Sequence, residues 1–364
     1  MKKIKVGYDC RDLFFAQTGT RTFSEELIRE IKRDVSVELV ELAPSKVKPP
    51  IGFFAKALSH ILFIYWKMID LPLKSRKANI DYLICPDYVA PFLFLGKIKT
   101  LPVFHGCNIW EIPKNYNTLW RIYFSFLARL GERKAFQVLT VSEFSKSRLI
   151  QVLGIDPEKI TVIPIGSKSA VLVDNAPGIV NGPTEYEYLL HIGILDKRKN
   201  LPALVEAFDL LEDRHLHLVL VGGRPSKLFM DGYPELISKI SQLGLTDRVH
   251  LEGYVADEDL PAYYRQAKAY IFPSIYEGFG IPILEAYHYE LPLAASAAAS
   301  LPEVVGKGGL LFDPHKVADI ARVIGQLLHL SDNNLIRMRK AQKEVLAQFN
   351  WPNAWKRIKE LMDG

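Results

Sequence analysis

Residues 271–314 read IFPSIYEGFGIPILEAYHYELPLAASAAASLPEVVGKGGLLFDP, and the fold is decided here. The apolar run Ala269–Phe272 predicts a strand that ends at Pro273. The loop Glu277-Gly278-Phe279-Gly280 follows. A helix is expected to open at Ile281-Pro282, because a proline in the first turn gives up only an N–H that the helix leaves unpaired. The run Leu293–Ala295 then returns as a strand. Strand, glycine loop, helix and strand form the repeating unit of a parallel sheet. Gly278 and Gly280 allow the backbone to approach a ligand closely. The amides and dipole at the helix start favour an anion, and open α/β sheets bind ligands at the carboxyl ends of their strands.

Two carboxylates frame this anion site. Glu277 lies in the loop and Glu285 one turn into the helix. Such a frame suits a bare phosphate poorly. It suits a ligand with phosphates in the middle and a hydroxyl-bearing ring at each end, since carboxylates accept paired hydrogen bonds from vicinal diols. A nucleotide sugar is a molecule of that kind. Spacing alone leaves open the alternative of one loop acid and one helix-surface acid with no ligand.

The same alternation extends outward. Downstream of residue 186, strands are expected at Tyr188–Ile192, Leu216–Val221 and Val249–Glu252, with helices at Leu201–Leu211, Pro234–Leu243, Leu260–Ala267 and Ile283–His288. Upstream, strands are expected at Ile4–Tyr8, Val37–Leu42, Tyr82–Cys85, Pro102–His105, Val138–Val141 and Lys159–Ile163, with a helix at Thr22–Lys32. Ser167–Glu185 breaks the pattern with Pro177-Gly178 and Asn181-Gly182-Pro183. The expectation is an α/β chain with two doubly wound parallel-sheet domains, over 1–168 and 186–348, joined by a linker at 169–185. A terminal helix over 349–364 can pack on either domain.

Bulk properties agree with this division. The chain has 364 residues, enough for two or three domains at about 100–200 residues each. Hydrophobic residues make up 49% and charged residues 24%, ordinary for a soluble globular protein. Cys10, Cys85 and Cys107 are far apart and form no CxxC pair, which fits free thiols in a reducing compartment. Met1-Lys2-Lys3-Ile4-Lys5 leads directly into a strand without the apolar core of a signal peptide, so a cytoplasmic location is expected. The net charge of +5 is uneven: residues 1–170 hold 26 Lys and Arg against 16 Asp and Glu, and the remainder 20 against 25. A basic half suggests one anionic surface partner, nucleic acid or membrane. Recognisable nucleic-acid modules are missing from that half, so nucleic acid is not expected.

Ile51–Ile69, IGFFAKALSHILFIYWKMI, stands apart. Lys56, His60 and Lys67 interrupt it, whereas a bilayer span needs about 18–20 nearly uncharged apolar residues. Two readings stay open: an amphipathic helix lying on an anionic membrane surface, or a buried crossover helix of the first domain. Asp257-Glu258-Asp259 looks like an acidic metal motif, but its place before a helix suits acids that complement the dipole. His215 and His217 alternate along a strand and read as one solvated face. A clean GxGxxG and zinc spacings are both lacking.

The Glu277–Glu285 pair, with seven residues between the two within EGFGIPILEA, resembles the signature of the retaining GT-B glycosyltransferases of family 4, also described as glycosyl transferases group 1. FPSIYEGFG, SLPEVVGKGGLLFDP, HIGILDKRKNLPALVEAF (191–208), LVLVGG (218–223), VHLEGYVADEDLPAYYRQA (249–267), the segment from VSEFSKSRLI at 141 to DPEKITVIPIG ending at 166, and TGTRTFSEEL (18–27) match in order. The resemblance implies two Rossmann-like domains facing a cleft, with the first binding the acceptor and the second the donor.

It also implies roles. Glu285 would hold the donor's ribose hydroxyls and Glu277 would lie against its sugar. Arg198 and Lys199 would neutralise the diphosphate, with Gly19, Gly278, Phe279, Gly280 and Ile281 approaching it closely. A leaving nucleoside diphosphate gains negative charge as the glycosidic bond breaks, and fixed cations and amides stabilise that charge, so no metal and no cofactor beyond the donor itself is expected. His105 takes the place of the family's histidine facing the donor sugar. Departures are plain. Gly106-Cys107 follows His105 where Asp is frequent, leaving Asn108 as a substitute; Arg21 stands where a second glycine is frequent, with phosphate, acceptor or a helix-capping role open. Ile194 follows Gly193 where some members carry Arg, and Tyr289-Glu290 precedes Leu291-Pro292 where small residues are usual.

The implied activity is transfer of a hexose or deoxyhexose, with retention, to a glycan acceptor. A lipid-linked or cell-envelope acceptor is expected, as in O-antigen, capsule or exopolysaccharide synthesis, with peripheral contact at the inner face of the membrane through the first domain. A non-catalytic sugar-nucleotide-binding subunit of the same fold is the alternative. An epimerase of that fold fits EGFGIPILE less well.

Overall fold

The computed structural model describes residues 3–14, 19–44, 53–113, 116–169, 183, 185–225 and 228–363, with the side chains of 53–57 and of 228 outside the description. The chain forms two compact units, Met1–Ile165 with Trp351–Gly364, and Gly166–Asn350. The linker expected at 169–185 lies almost entirely outside the described residues.

The first unit is built on β1 (Ile4–Asp9), β2 (Val37–Leu42), β3 (Tyr82–Cys85), β4 (Lys99–Phe104), β5 (Val138–Thr140) and β6 (Ile160–Val162), in the order β2-β1-β3-β4-β5-β6. All pairings are parallel. Its helices are α1 (Gly19–Arg33), α2 (Phe53–Tyr65), α3 (Leu71–Lys77), α4 (Asn108–Glu111), α5 (Thr118–Lys134) and α6 (Glu143–Leu153). Local signals fix their ends. Asn117 accepts from the Trp120 amide at the start of α5, Ser142 from the Ser145 amide at the start of α6, and Gly154 closes α6 in the left-handed region. Between α2 and α3 the chain makes a π-helical turn, Trp66–Asp70. The apolar run over 51–69 is therefore in part a packed element of the first unit. Phe63, Trp66 and Met68 are buried in the unit, while Leu58, Ile61, Leu62 and Tyr65 are exposed.

The second unit carries β7 (Tyr188–Ile192), β8 (His217–Val221), β9 (Val249–Gly253), β10 (Ala269–Phe272), β11 (Leu293–Ser296) and β12 (Leu310–Phe312), in the order β12-β11-β10-β7-β8-β9. These pairings too are parallel. Its helices are α7 (Leu201–Asp209), α8 (Tyr233–Gln242), α9 (Leu260–Gln266), α10 (Ile281–His288), α11 (Leu301–Val305), α12 (Val317–Leu328) and α13 (Asp332–Gln348). Leu204, Phe208, Leu218, Leu220, Ile271 and Ile324 form part of one buried cluster between sheet and helices. The chain leaves β7 toward β8 and β9, then returns to the other flank as β10. The carboxyl ends of β7 and β10 thus form the switch point where a doubly wound sheet opens a crevice.

The last helix, α14 (Trp351–Asp363), belongs to the first unit. Trp355 Nε1 and Lys359 Nζ both donate to Asp34, at 2.9 and 2.8 Å, and the Tyr82 hydroxyl donates to the Met362 carbonyl at 3.1 Å.

Some expectations need correcting. The β4 strand stops at Phe104, so His105 is the first loop residue after it. His215 precedes β8 instead of sharing its face. His217, on β8 between β7 and β9, is half-buried: it stacks on Tyr186 at 4.0 Å between centroids and bonds His250 of the edge strand β9 at 2.8 Å, so aromatic contact replaces part of its hydration.

Candidate active site

Two short segments meet at the switch point of the second sheet. Asp196 follows β7 and accepts from the Arg198 amide at 2.8 Å, which winds Lys197–Lys199 into one 3₁₀ turn. The Ile275 amide, after β10, donates to the Arg198 carbonyl at 2.9 Å and ties the second segment to the first. Side chains then converge. Arg198 Nη1 lies 2.5 Å from Glu277 Oε2, and Lys199 Nζ lies 2.8 Å from Glu277 Oε1. Arg198 also reaches Asp196 at 3.1 Å and the Tyr276 carbonyl at 2.8 Å. Lys199 lies over the Phe272 ring, 4.6 Å from its centroid. Burial alone would raise the Glu277 pKa, but the Arg198 and Lys199 charges more than offset this and bring it to about 2. Arg198 and Lys199 against Glu277 and Asp196 leave this cluster with no net charge.

The glycine loop is braced from behind. Ser300 Oγ donates to the Glu277 carbonyl at 3.0 Å and the Phe279 carbonyl at 2.9 Å. Phe279 itself is buried, edge-on to Phe349 at 5.3 Å, so its backbone and not its ring is available to a ligand. Gly280 opens α10 with φ +119°, and a Cβ there would meet Leu301 at 2.9 Å. The supply of helix-start amides is smaller than expected. Pro282 has none, and the Ile283 amide donates to the Gly280 carbonyl at 3.0 Å. The Ile281 amide is the one left in that first turn.

Glu285 faces a different environment. It is buried, and the Tyr264 hydroxyl donates to its Oε2 at 2.8 Å. Burial raises its pKa to about 7, against the Tyr264 hydrogen bond and the Lys168 charge, which favour the carboxylate. Lys168 in turn pairs with Asp257. The two carboxylates that frame the loop thus differ in kind. One is clamped between cations and strongly acidic; the other is buried beside a phenol and weakly acidic.

The remaining candidates lie in the first unit. His105 Nε2 contacts the Pro86 carbonyl at 2.7 Å, and the ring packs edge-on against Phe23 of α1 at 4.9 Å. Burial lowers its pKa to about 4, against the Pro86 carbonyl, which favours protonation. Gly19 is the first residue of α1, and no described atom lies within 4 Å of a Cβ placed there. Arg21 is on the exposed face of α1, with its Nε 2.7 Å from Glu25 in the i,i+4 manner. Asn108 starts α4 and donates to the Tyr116 hydroxyl at 2.8 Å, while its buried Oδ1 has no hydrogen-bond partner among the described residues. Asp257 and Asp259 do stand at the start of α9, but Asp259 makes no side-chain cap. Among the described residues, no group of three or more His, Cys, Asp and Glu is arranged to hold a metal ion.

Sequence reading passed over Asp196, Tyr264 and Lys168. Asp196 carried a signal, an acid two residues before the Arg198 amide that it caps. Tyr264 and Lys168 reach Glu285 only through tertiary folding.

Residues 17–167 match the family model described as Glycosyltransferase Family 4, and residues 174–345 that described as Glycosyl transferases group 1. The O-antigen chain mannosyltransferase B of Escherichia coli is 31% identical over 278 residues, which cover 74% of this chain and 70% of that protein. Sucrose-phosphate synthase from Thermosynechococcus elongatus shares the fold, with a TM-score of 0.76 at 17% identity over 99% of this chain and 98% of that one. Anabaena HepE in complex with UDP and glucose gives a TM-score of 0.71 at 19% identity, covering 99% of both chains.

Proposed function

The chain belongs to glycosyltransferase family 4 and is a glycosyltransferase of the GT-B fold, and we propose that it moves a hexosyl or deoxyhexosyl group from a nucleoside-diphosphate sugar to a cell-envelope glycan acceptor. The observation that carries this reading is the Arg198–Lys199–Glu277 cluster at the β7/β10 switch point. It sets two cations beside a carboxylate where a diphosphate and a sugar would adjoin. The E. coli relative is a mannosyltransferase of the O-antigen chain, which puts mannosyl donors first among those to test.

In this reading Glu285 accepts hydrogen bonds from the ribose hydroxyls. Arg198, Lys199, the Ile281 amide and the close-approach glycines Gly19, Gly278 and Gly280 meet the diphosphate, with charge on the leaving group compensated by the protein's own cations rather than by a metal. Glu277 and His105 hold sugar hydroxyls. Arg21 and Asn108 are secondary candidates for phosphate or acceptor contact. The transfer retains anomeric configuration by a front-side route: the acceptor oxygen bonds the anomeric carbon as the bond to the diphosphate breaks, and the leaving diphosphate takes the acceptor's proton.

The acceptor is lipid-linked, and the first unit meets an anionic membrane at its inner face. Support comes from α2 and α5, which are joined by a 2.6 Å His60–Tyr123 hydrogen bond and a Phe63–Phe124 stack. On α2, Leu58, Ile61, Leu62 and Tyr65 recur at i, i+3, i+4 and i+7, all exposed. On α5, Leu119, Ile122 and Phe126 do the same at i, i+3 and i+7, with exposures of 75%, 59% and 62%. Arg129 continues that stripe. Among the described residues, no helix is long and apolar enough to cross a membrane.

A thermal-shift and turnover screen of GDP-, UDP- and dTDP-linked sugars tests the central claim, because a ligand that binds only the folded state raises its apparent stability. A stabilising donor that is also hydrolysed or transferred is the expected outcome. No shift and no turnover with any of them would sink the proposal.

A further inference from the structure

A second set of buried charges occupies the carboxyl ends of β1 and β3, the switch point of the first sheet. Lys67 is fully buried, and its Nζ pairs with Asp9 Oδ2 at 2.5 Å and with Asp87 Oδ1. Asp9 ends β1, and its other oxygen accepts from the Trp66 indole at 3.0 Å and from the Arg11 amide at 3.1 Å. Asp87 lies in the loop after β3. Burial disfavours charge on Lys67, and the Asp87 and Asp9 carboxylates more than offset this, so the ammonium stays charged. Stability alone explains such a triad poorly, because well-packed apolar side chains usually serve at least as well as buried ion pairs. Lys67 also sits on the π-helical turn, an irregularity frequent at functional positions.

What the triad grips is the loop Pro86-Asp87-Tyr88. Tyr88 has φ +68°, a costly conformation for an aromatic residue, and one that persists only where its surroundings impose it. The Tyr88 amide donates to the Val103 carbonyl at 3.1 Å, and its ring stands edge-on to Phe104 and His105, at 5.2 and 6.0 Å. Beside it, the Pro86 carbonyl lies 2.7 Å from His105 Nε2. A carbonyl only accepts, so Nε2 carries the proton and Nδ1 a lone pair. Nδ1 makes no hydrogen bond to another described residue.

We propose that Lys67 and Asp87 are positioning residues for transfer: by clamping Pro86–Tyr88 they hold His105 in its Nε2–H form, with Nδ1 presented to accept a hydroxyl hydrogen of the substrate sugar. This rests on the role given to His105 above. A hydrogen bond donated from a sugar hydroxyl to Nδ1 raises electron density on that oxygen, which favours the positive charge growing at the anomeric carbon.

The test uses the full chain labelled with ¹⁵N-histidine, in which two-bond proton–nitrogen correlations report the tautomer of each ring. Wild type should show His105 as Nε2–H. Asp87→Asn leaves Lys67 paired with Asp9, one ammonium to one carboxylate, so the fold should survive. Its His105 should become a mixture of tautomers, and kcat should fall between about tenfold and a hundredfold while KM for the donor changes little. Tyr88→Gly accepts φ +68° without strain and should loosen the loop in the same way; it serves if Asp87→Asn does not fold. Lys67→Arg should restore most of what Lys67→Met loses. A wild-type Nδ1–H ring, or an unchanged tautomer or unchanged kcat in the folded loop variant, overturns the proposal. If wild type turns over no nucleotide sugar at all, it is the transferase reading that fails, and the substrate-free tautomer measurement still judges the clamp.

Discussion

Lys199 Nζ stands 2.8 Å from Glu277 Oε1, although 78 residues separate them in the chain. The parallel neighbours β7 and β10 bring their loops to one edge, and the Arg198 carbonyl pins them together. The consequence is electrostatic. Cations expected to stand ready for a diphosphate are already matched by Glu277 and Asp196. On the proposed reading, a diphosphate would claim them as Glu277 turns toward sugar hydroxyls.

Glu277→Gln should therefore separate binding from turnover. Removing the carboxylate charge leaves Arg198 and Lys199 undercompensated, so nucleoside diphosphate should bind about tenfold more tightly, or about 1.4 kcal/mol. Transfer should drop by about a hundredfold or more, because the sugar loses its fixed acceptor and the product leaves slowly. Calorimetry with the nucleotide alone, beside steady-state kinetics, checks both halves; weaker nucleotide binding would contradict the charge argument.

Glu285 should make donor binding depend on pH near neutrality. Its folded pKa of about 7 lies above the ordinary glutamate value of 4.5. For stability, a raised folded pKa means a contribution fully present below about 4.5 and lost as pH rises through 7. For binding, the proposed role has ribose hydroxyls donating to the carboxylate, so affinity should rise with pH through about 7, with proton release on binding. Glu277, held at about 2, should add no pH dependence in that range. Titration calorimetry in buffers of different ionisation enthalpy measures the released proton, and Glu285→Gln should abolish it.

The sheet-helix alternation was readable because apolar runs bounded by glycine and proline mark parallel strands. The glycine loop and the start of α10 were readable for the same reason. Local sequence does not carry the polarity of the site. Glu277 and Glu285 look equivalent in EGFGIPILEA, and only tertiary neighbours make one strongly and the other weakly acidic: Arg198 and Lys199 from the β7 turn, Tyr264 from α9. Lys67 was legible only as an interruption of an apolar run, because its partners Asp9 and Asp87 arrive from strands β1 and β3. The outward stripe of α2, its inward Phe63 and the buried Trp66 of the π-helical turn likewise share one hydrophobic segment, and composition cannot sort them.

The stripe makes its own prediction. Ile61 is 63% exposed and Ile122 59% exposed, so Ile61→Asp with Ile122→Asp should leave the melting temperature nearly unchanged. Co-sedimentation with vesicles rich in anionic lipid should fall sharply, and hydrolysis of a soluble donor should persist. Retained sedimentation at low salt that disappears at physiological salt would assign the contact to charge alone and remove the apolar stripe from it.

Two adjoining glycines should respond in opposite ways to the same added methyl group. At Gly222, φ is +149° and a Cβ would stand 1.9 Å from the Gly193 carbonyl oxygen. Backbone cannot yield as a side chain can, so Gly222→Ala should destabilise the second unit by at least about 3 kcal/mol. At Gly193 the nearest atoms are Lys199 Cε at 3.1 Å, with Lys199 Nζ and His191 Nε2 at 3.3 Å. A flexible lysine can move by the few tenths of an ångström required, so Gly193→Ala should cost under about 1 kcal/mol of stability. The shift falls on the cation that meets Glu277, however, and positioning errors are costly there: turnover should fall by about tenfold or more. Denaturant unfolding and kcat measured on the two variants decide the matter. Loss of stability without loss of specific activity at Gly193 would show that Lys199 tolerates displacement, and would remove it from the group that stabilises the leaving diphosphate.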